Sequence, residues 1–477
     1  MKKHIKSANP YMPLWEHVPD GEPRVFEYNN EKRVYVYGSH DTEKTQYCGR
    51  DYVVWSAPVN DLTDWTYHGV AYTTHYDSIL YAPDVVKRGD TYYMYAAEKC
   101  GSLIVVASSK SPTGPFENPV ETKLGFDPGI LVDDDNRVYA YWGGCAAPCY
   151  IAELMDDMVT IREETLVSNP LGHSTCPWDP MDDGHISIDD GFFEASSPRK
   201  VMGKYVYIYS KRYEVPVPEL GVFEPNNGFL SYRVSDTPFG PFKDGGDISF
   251  NGGEILKNDD GTGTMTYKWG NNHGSLACIN DKWYIFYHRQ TGVNEYSRQA
   301  MIEPVDVAMD SHGRLYIGNI TYKDGEPVSS EPVEMTSQGP NINGIDAYSW
   351  ISAGYACHIY GGKKNAYIMP GYEMRDDIST PVVDISDGTT VGFRYLQFGN
   401  NAPGTVTVQI ENNSVVTVKV HIDSYKGKVV AELQFNGNET ELTVPLLAGI
   451  IGKHAVYFEF ICEDEKESIK FNRFTFD

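Results

Sequence analysis

Acidic side chains and one histidine recur at equivalent places along this chain. Asp20 in PDGEPRVF, Asp84 in YAPDVV, Asp127 in FDPGILVDDD, Glu194 in GFFEASSPRK and His273 in NNHGSLACI each precede an alternating aromatic strand by seven to thirteen residues. Carboxylates gathered from separate segments into one pocket repel one another, so holding them together implies chemistry or a metal. Cleaving a glycosidic bond needs two of them. A protonated acid gives its proton to the leaving oxygen, and an ionised base activates water or attacks carbon. A third negative group raises the pKa of the acid. Glu194 follows Phe192 and Phe193 and precedes the small residues of EASSP, so apolar contact and a nearby carboxylate both favour its protonated form. It is the candidate general acid, and Asp20 is the candidate general base. Asp84, held after Pro83, is the candidate neighbour that keeps Glu194 protonated and oriented near neutral pH. Asp127 is read as a channel residue with a supporting role.

The elements that must position these groups are the strands RVYVYGSHD from Arg33, TYYMYAAEK from Thr91, RVYAYWGG from Arg137, KYVYIYSKR from Lys204 and KWYIFYHR from Lys282. All alternate large apolar and aromatic residues with period two behind a Gly, Asp or Asn turn, as half-buried strands do. Their starts lie 46 to 78 residues apart, room for a four-stranded sheet each. That is the pattern of radial repetition around a channel, and a five-bladed β-propeller is predicted for residues 1–322. SKSPTGPF from Ser109 and SDTPFGPF from Ser235 form a second echo, in the second and fourth units. The aspartates Asp133, Asp134 and Asp135 read as a hairpin turn, since the spaced ligands of an EF-hand are missing.

A chain of 477 residues is too long for one ordinary core, so two domains are expected. Residues 323–342 lack periodicity and are rich in Pro, Ser, Gly and Glu, which marks the connection. From 343 to 477 short strands recur at close spacing, predicting a jelly-roll β-sandwich and an all-β chain throughout. The net charge of −26 argues against nucleic acid and anionic membranes and favours a neutral or cationic ligand. The 35 Tyr, 19 Phe and 8 Trp fit β structure and supply flat faces for sugar rings, with Phe193, Trp142, Trp178 and Trp269 as candidate platforms. MKKHIKSANP lacks the apolar stretch of a secretory signal, predicting a cytoplasmic location and reduced cysteines. Cys145, Cys149, His173 and Cys176 match no common zinc spacing.

YAPDVV, FDPGILVDDDNRVYAYWGG, FFEASSPRK and NNHGSLACINDKWYIFYHR together resemble glycoside hydrolase family 43, whose members are inverting five-bladed propellers. The resemblance implies an Asp base, a pKa-modulating Asp and a Glu acid, which fall on Asp20, Asp84 and Glu194. It also implies that His273 reaches the central channel and holds calcium largely through water, and that Arg289 grips substrate hydroxyls. Two departures stand out. The base motif reads PDGEP where the family has Ala-Asp-Pro, and Tyr81 stands where Trp often precedes Ala-Pro-Asp, at a place that holds the sugar. The C-terminal part resembles carbohydrate-binding modules of family 6, with Lys470 where a sugar-binding Asn is sought and Asn472 offset.

What the resemblance implies is an exo-acting inverting hydrolase that releases terminal α-L-arabinofuranose from arabinoxylan-derived oligosaccharides. A β-D-xylosidase or a bifunctional enzyme is the alternative. Two further alternatives are a retaining hydrolase with Asp20 as nucleophile and a non-catalytic sugar-binding propeller. Inversion requires the two carboxyl groups to stand about 6.5–9.5 Å apart.

Overall fold

The computed structural model describes residues 8–144, 147–171, 191–213, 216–292, 294–372, 380–437, 439–462 and 468–477. Five antiparallel meander sheets follow one another along the chain, four of four strands and a fifth of five. Their innermost strands are Glu22–Tyr28, Tyr81–Arg88, Gly129–Val132, Phe192–Val201 and Ser275–Ile279, each beginning beside one of the five repeated polar residues. The alternating aromatic strands of the sequence are the second strand of every blade. A propeller therefore follows directly from the repeat: every sheet is apolar on both faces, and each face must be covered by a neighbour.

The buried apolar clusters are these inter-blade layers. Tyr35, Tyr37, Val85 and Met94 lie between blades one and two; Tyr95, Val106, Ile130 and Ala140 lie between two and three; Tyr141, Ile151, Phe192 and Tyr207 lie between three and four. The echoed turns have a shared use. The Tyr37 hydroxyl donates to the Pro112 carbonyl and the Tyr141 hydroxyl donates to the Pro238 carbonyl, both at 2.6 Å, so each turn receives a tyrosine from the preceding blade. Each such bond contributes about 1 kcal/mol, as buried hydroxyls left unpaired would cost more. Between blades five and one the N-terminal segment is wedged, with Tyr11, Met12, Trp15 and Val18 in one apolar cluster with Val36 and Phe286.

Two buried ion-pair staples close the axis. Arg24 of blade one forks onto Asp84 of blade two, with Nε–Oδ1 at 3.0 Å and Nη2–Oδ2 at 2.5 Å. The same Asp84 accepts the backbone N–H of Ile130 in blade three at 2.7 Å. On the other side Arg199 of blade four pairs with Glu22 of blade one at 2.5 Å and donates to the Leu276 carbonyl of blade five at 2.8 Å. All five inner strands are thus tied by two arginines.

Residues 326–331, expected to belong to the connection 323–342, form instead the strand Glu326–Glu331, which pairs with Leu315–Lys323 as the outer edge of blade five. Pro327 interrupted the pattern in the sequence, but an edge strand tolerates proline because one row of its N–H groups faces outward. Beyond it two mixed-order sheets form a β-sandwich around Phe393, Phe458, Phe471 and Phe474. Its core runs without a break into the layer between blades four and five. Lys470 and Asn472, where a sugar-binding Asn was sought, both reach Glu411, at 2.7 and 3.3 Å.

Arg289 is not a sugar-gripping residue. It is fully buried at the domain junction, where it donates to Gln299 Oε1 at 3.0 Å, to the Gly354 carbonyl at 2.6 Å and to the Ala356 carbonyl of the sandwich. An arginine at the end of a strand reads alike whether it faces a channel or a neighbouring domain. Arg289→Leu is expected to cost about 3 kcal/mol of stability, measured by thermal or denaturant unfolding, because it strands buried carbonyls. The Michaelis constant for a small aryl glycoside should stay within about twofold, as the side chain does not face the cavity.

Candidate active site

In a four-stranded meander the chain meets one rim of the propeller at two places per blade: just before the inner strand, and between the second and third strands. The first supplies Asp20, Asp127, Glu194 and His273; the second supplies Tyr47, Cys48, Arg212, Asn227, Glu295 and Arg298. All of these line one cavity of about 500 Å³. Local backbone irregularities aim the acids. The inner strand of blade four shifts register on both sides of Glu194, and bulges of this kind are used beside active sites to redirect a side chain. Asp20, Asp127 and Ala195 all lie in the left-handed region, with φ of 59°, 48° and 68°. Non-glycine residues seldom sit there, and they cluster at functional sites held by surrounding contacts.

Asp20 is 5% exposed and almost fully engaged. Its Oδ1 accepts from Arg298 Nη1 at 3.0 Å and its Oδ2 accepts from the Ser39 hydroxyl at 2.6 Å. Arg298 is held from behind by Asp41, with Nη2–Oδ1 at 2.9 Å and Nε–Oδ2 at 3.0 Å. Burial alone would raise the Asp20 pKa, but Arg298, followed by the nearby His288 and His273 and the Ser39 hydroxyl, brings it down to about 2. Asp20 is therefore a carboxylate at every working pH. His288 Nδ1 accepts the Asp20 backbone N–H at 3.2 Å while its Nε2 stands 2.6 Å from the Asn271 carbonyl, which fixes the neutral Nε2–H tautomer. Burial holds His288 near 4, so the ring stays neutral.

Asp127 has the opposite tendency. Its Oδ2 accepts the backbone N–H of Ala195 at 3.1 Å, beside Glu194. Burial first, then the charges of Glu194 and Asp20, push its pKa well above the ordinary carboxylate range. Asp127 and Glu194 repel as two anions, so the pair retains one proton, whose titration belongs to the pair and not to either residue. Asp84, assigned by sequence as the tuning neighbour, is a correction. It is fully buried in the Arg24 staple below the cavity and does not line it. A register shift falls between Tyr81 and Asp84, and the Asp84 carboxylate is spent on Arg24 and the Ile130 N–H. The residue placed against the backbone N–H that follows Glu194 is Asp127.

Tyr81 and Phe193 line the cavity as expected, and Arg212 lies over the Phe193 ring at 4.9 Å. Trp142 does not line it. Its indole stacks on Tyr150, with ring centroids 5.5 Å apart, in the layer between blades two and three. Trp269, weighed as a platform, does line the wall. Cys145, His173, Cys176 and Trp178 lie outside the described residues, and Cys149 is buried between blades three and four. Arg298, Arg212, Tyr47 and Glu295 were missed. The signal available for them was positional: each falls in or beside a loop between the second and third strands of its blade.

His273 reaches the channel as expected, with Nδ1 3.7 Å from Asp127 and 3.9 Å from Asp20. Burial lowers its pKa, so it is a neutral imidazole able to ligate. Among the described residues no three His, Cys, Asp or Glu side chains converge as a metal cage. Nearby Glu22 has one carboxylate oxygen on Arg199 and the other without a protein partner. One imidazole and one open oxygen fit an ion held mostly by water and do not fit a protein cage.

The family model for glycosyl hydrolases family 43 matches residues 22–312. The chain belongs to this family. Asp20 lies two residues ahead of the matched span, consistent with its departure from the usual family motif. A xylosidase/arabinosidase of Thermoclostridium stercorarium is 31% identical over 95% of both chains. Among solved structures, a family 43 arabinoxylan arabinofuranohydrolase from Bacillus subtilis in complex with cellotetraose shares 22% identity at a TM-score of 0.49, covering 100% of this chain and 98% of that one. A family 43 β-xylosidase/α-arabinofuranosidase from a compost metagenome, in complex with xylotriose and described as a calcium-free form, shares 25% identity at a TM-score of 0.45 over 66% of this chain and 97% of that one.

The two disputed aspartates separate by stability. Asp84→Asn is expected to cost about 3 kcal/mol, since it leaves the Arg24 guanidinium without the carboxylate it is paired with. Asp127→Asn should instead raise the melting temperature at pH 7. A carboxyl whose folded pKa lies above its unfolded one costs stability as pH rises between the two values, and the amide removes that cost. Thermal denaturation of both variants at pH 7 and pH 4 tests this, with the Asp127→Asn gain shrinking at the lower pH.

Proposed function

We propose that this family 43 enzyme is an exo-acting, inverting α-L-arabinofuranosidase on arabinoxylan-derived oligosaccharides, with Asp20 as general base, Glu194 as general acid and Asp127 as the neighbour that keeps the acid protonated. The observation that carries this reading is the contrast inside one cavity: Arg298 holds Asp20 ionised while Asp127 is crowded towards its protonated form against the backbone beside Glu194. An ionised base at Asp20 and one proton kept by the Asp127–Glu194 pair for delivery through Glu194 are what single displacement needs.

In the proposed step Asp20 takes one proton from a water molecule, and the water oxygen forms a bond to the anomeric carbon. The bond from that carbon to the leaving oxygen breaks on the opposite face, and Glu194 gives its proton to that oxygen. Asp20 ends protonated and Glu194 ionised, and exchange with solvent restores both. Asp127 keeps Glu194 charged with its proton before the step and takes no part in bond exchange. Tyr81 and Phe193 provide apolar wall for the sugar ring, and Arg212 provides donors for its hydroxyls. Calcium, held at His273 largely through water, belongs to the same reading; when bound it would add positive charge near Asp20 and favour its ionised form.

A second reading, a β-D-xylosidase or an enzyme of both kinds, has its own support in the Thermoclostridium relative, which is named for both activities. A panel of p-nitrophenyl pentosides separates the two, and NMR of the first anomer released separates inversion from retention. Glu194→Gln is expected to lower kcat by at least about a thousandfold on oligosaccharides while binding is retained. Retained turnover in that variant would remove Glu194 as the acid, and no pentose released by the parent would leave only a sugar-binding propeller.

The pH profile follows from the same charges. Asp20, at about 2, places the acid limb below the pH range of ordinary assays. The alkaline limb marks loss of the proton shared by Asp127 and Glu194. Asp127→Asn removes a like charge, so Glu194 loses its proton more easily and the alkaline limb of kcat/KM moves to lower pH. Asp84→Asn should leave that limb in place.

A further inference from the structure

The cavity does not end at the propeller rim. A second hollow of about 790 Å³ lies between the loops of blades four and five and the sandwich, and it shares Pro225, Trp269 and Glu295 with the first. Its far wall comes from the sandwich, where Tyr360, Lys364, Asn365 and Tyr367 face Trp269 and Lys268 of the propeller. Trp269, Tyr360 and Tyr367 are all partly exposed, and the Tyr360 ring is held by T-shaped contacts with His358 and Tyr425, at centroid distances of 5.9 and 5.8 Å.

Both walls are fixed to each other by backbone. The Ile359 N–H donates to the Thr266 carbonyl and the Ile368 N–H donates to the Thr291 carbonyl, each at 2.8 Å. These bonds flank the hollow, one beside Tyr360 and one beside Tyr367. Lys268 Nζ donates to the Gly292 carbonyl at 3.1 Å on the propeller side. Gly292 has φ of +107°, and a Cβ there would stand 2.9 Å from Tyr367 Cβ, so only glycine allows the approach that closes this corner. A groove whose two sides belong to different domains is thereby built as one rigid surface.

We propose that this groove is an extended subsite for the part of the substrate left behind by cleavage, a neutral β-linked pentose oligomer running from the scissile bond over Trp269 onto Tyr360 and Tyr367 of the sandwich. The inference rests on the glycosidase reading of the first cavity and deepens it. The shared Trp269 wall makes the path continuous, so a chain emerging from the catalytic hollow meets aromatic faces at once. Flat rings spaced along a groove suit stacked pyranoses, and Asn365 and Lys364 offer donors for hydroxyl groups. The net charge of −26 disfavours a polyanionic occupant. In this assignment the C-terminal domain recognises sugar through the face it turns to the propeller, and not at the edge where Lys470 and Asn472 are drawn to Glu411.

The test compares a substrate that ends inside the first cavity with one that crosses the groove. For Tyr360→Ala, kcat/KM on arabinofuranosyl-substituted xylotetraose is expected to fall about tenfold more than on p-nitrophenyl α-L-arabinofuranoside, with the loss in KM. Equal losses on both substrates, or none on the long one, overturn the proposal. Tyr360→Leu, which keeps apolar bulk without a flat ring, should show the same asymmetry if the Ala variant folds poorly. A binding arm separates the two readings. Xylotetraose titrated calorimetrically onto Glu194→Gln should bind about tenfold more weakly when Tyr360→Ala is added. That weakening, even if the parent cleaves no glycoside, supports the groove while the catalytic assignment fails; an unchanged Kd overturns the groove whatever the enzyme cleaves.

Discussion

Three carboxylates share one buried mouth, and the fork of Arg298 is what lets them do so. Without a cation, Asp20, Asp127 and Glu194 would each be pushed towards the protonated form, and none would be held ionised. Arg298 reaches Asp20 with one nitrogen and is itself locked by two bonds to Asp41, so its charge cannot swing towards Asp127 or Glu194. Its ring contact with Tyr47, at 5.0 Å, fixes the remaining face. One guanidinium, aimed by a second acid behind it, thus breaks the symmetry among three similar groups and sets which of them holds the proton.

That arrangement is possible because the axis below the mouth is neutralised separately. Arg24 with Asp84 and Arg199 with Glu22 pair two buried cations with two buried anions while crossing between blades. Buried pairs of this kind contribute little net stability, yet removing either partner is costly, so they act as registration pins for the ring. The left-handed backbone at Asp20, Asp127 and Ala195 can persist only on such a scaffold. The inter-blade tyrosines serve the same end farther out, each bonding to a turn of the next blade.

The repeat of turn and aromatic strand made the five blades legible before any coordinates, because period-two alternation and its spacing reflect what each sheet must bury. That Asp20 and Glu194 line one cavity was legible as well, through their place at the entry to the inner strands. Asp84 and Asp127 were confused because both sit near proline at equivalent places in their blades; only the bulge after Tyr81 sends one of them into a staple. Arg289 and Arg298 lie nine residues apart around the same blade tip, and their sequence surroundings do not reveal which faces the domain junction. Trp142 shows the same limit for aromatics: an alternating strand has two buried faces, and packing between blades claims most of them. The edge strand 326–331 was hidden by its proline and its polar composition.

The sandwich is docked by polar contacts at many places, and this bears on what it can do. Arg289 is swallowed by its carbonyls, Arg394 reaches back to Glu254 and Glu334 at 2.9 and 2.6 Å, and Tyr372 bonds to the Glu43 carbonyl at 2.9 Å and to Ser297. Ser297 precedes Arg298, and Glu43 lies in the loop that carries Tyr47 and Cys48 into the cavity. The second domain therefore braces the two loops from which Arg298 and its ring contact Tyr47 project. A tethered binding module, free to move on its linker, would gain from independence; a domain whose core is continuous with two blades and whose tyrosine pins catalytic loops gives that freedom up. What it gains is a fixed wall. Loss of the sandwich would accordingly be felt at Arg298 as well as at the hollow whose far wall it forms.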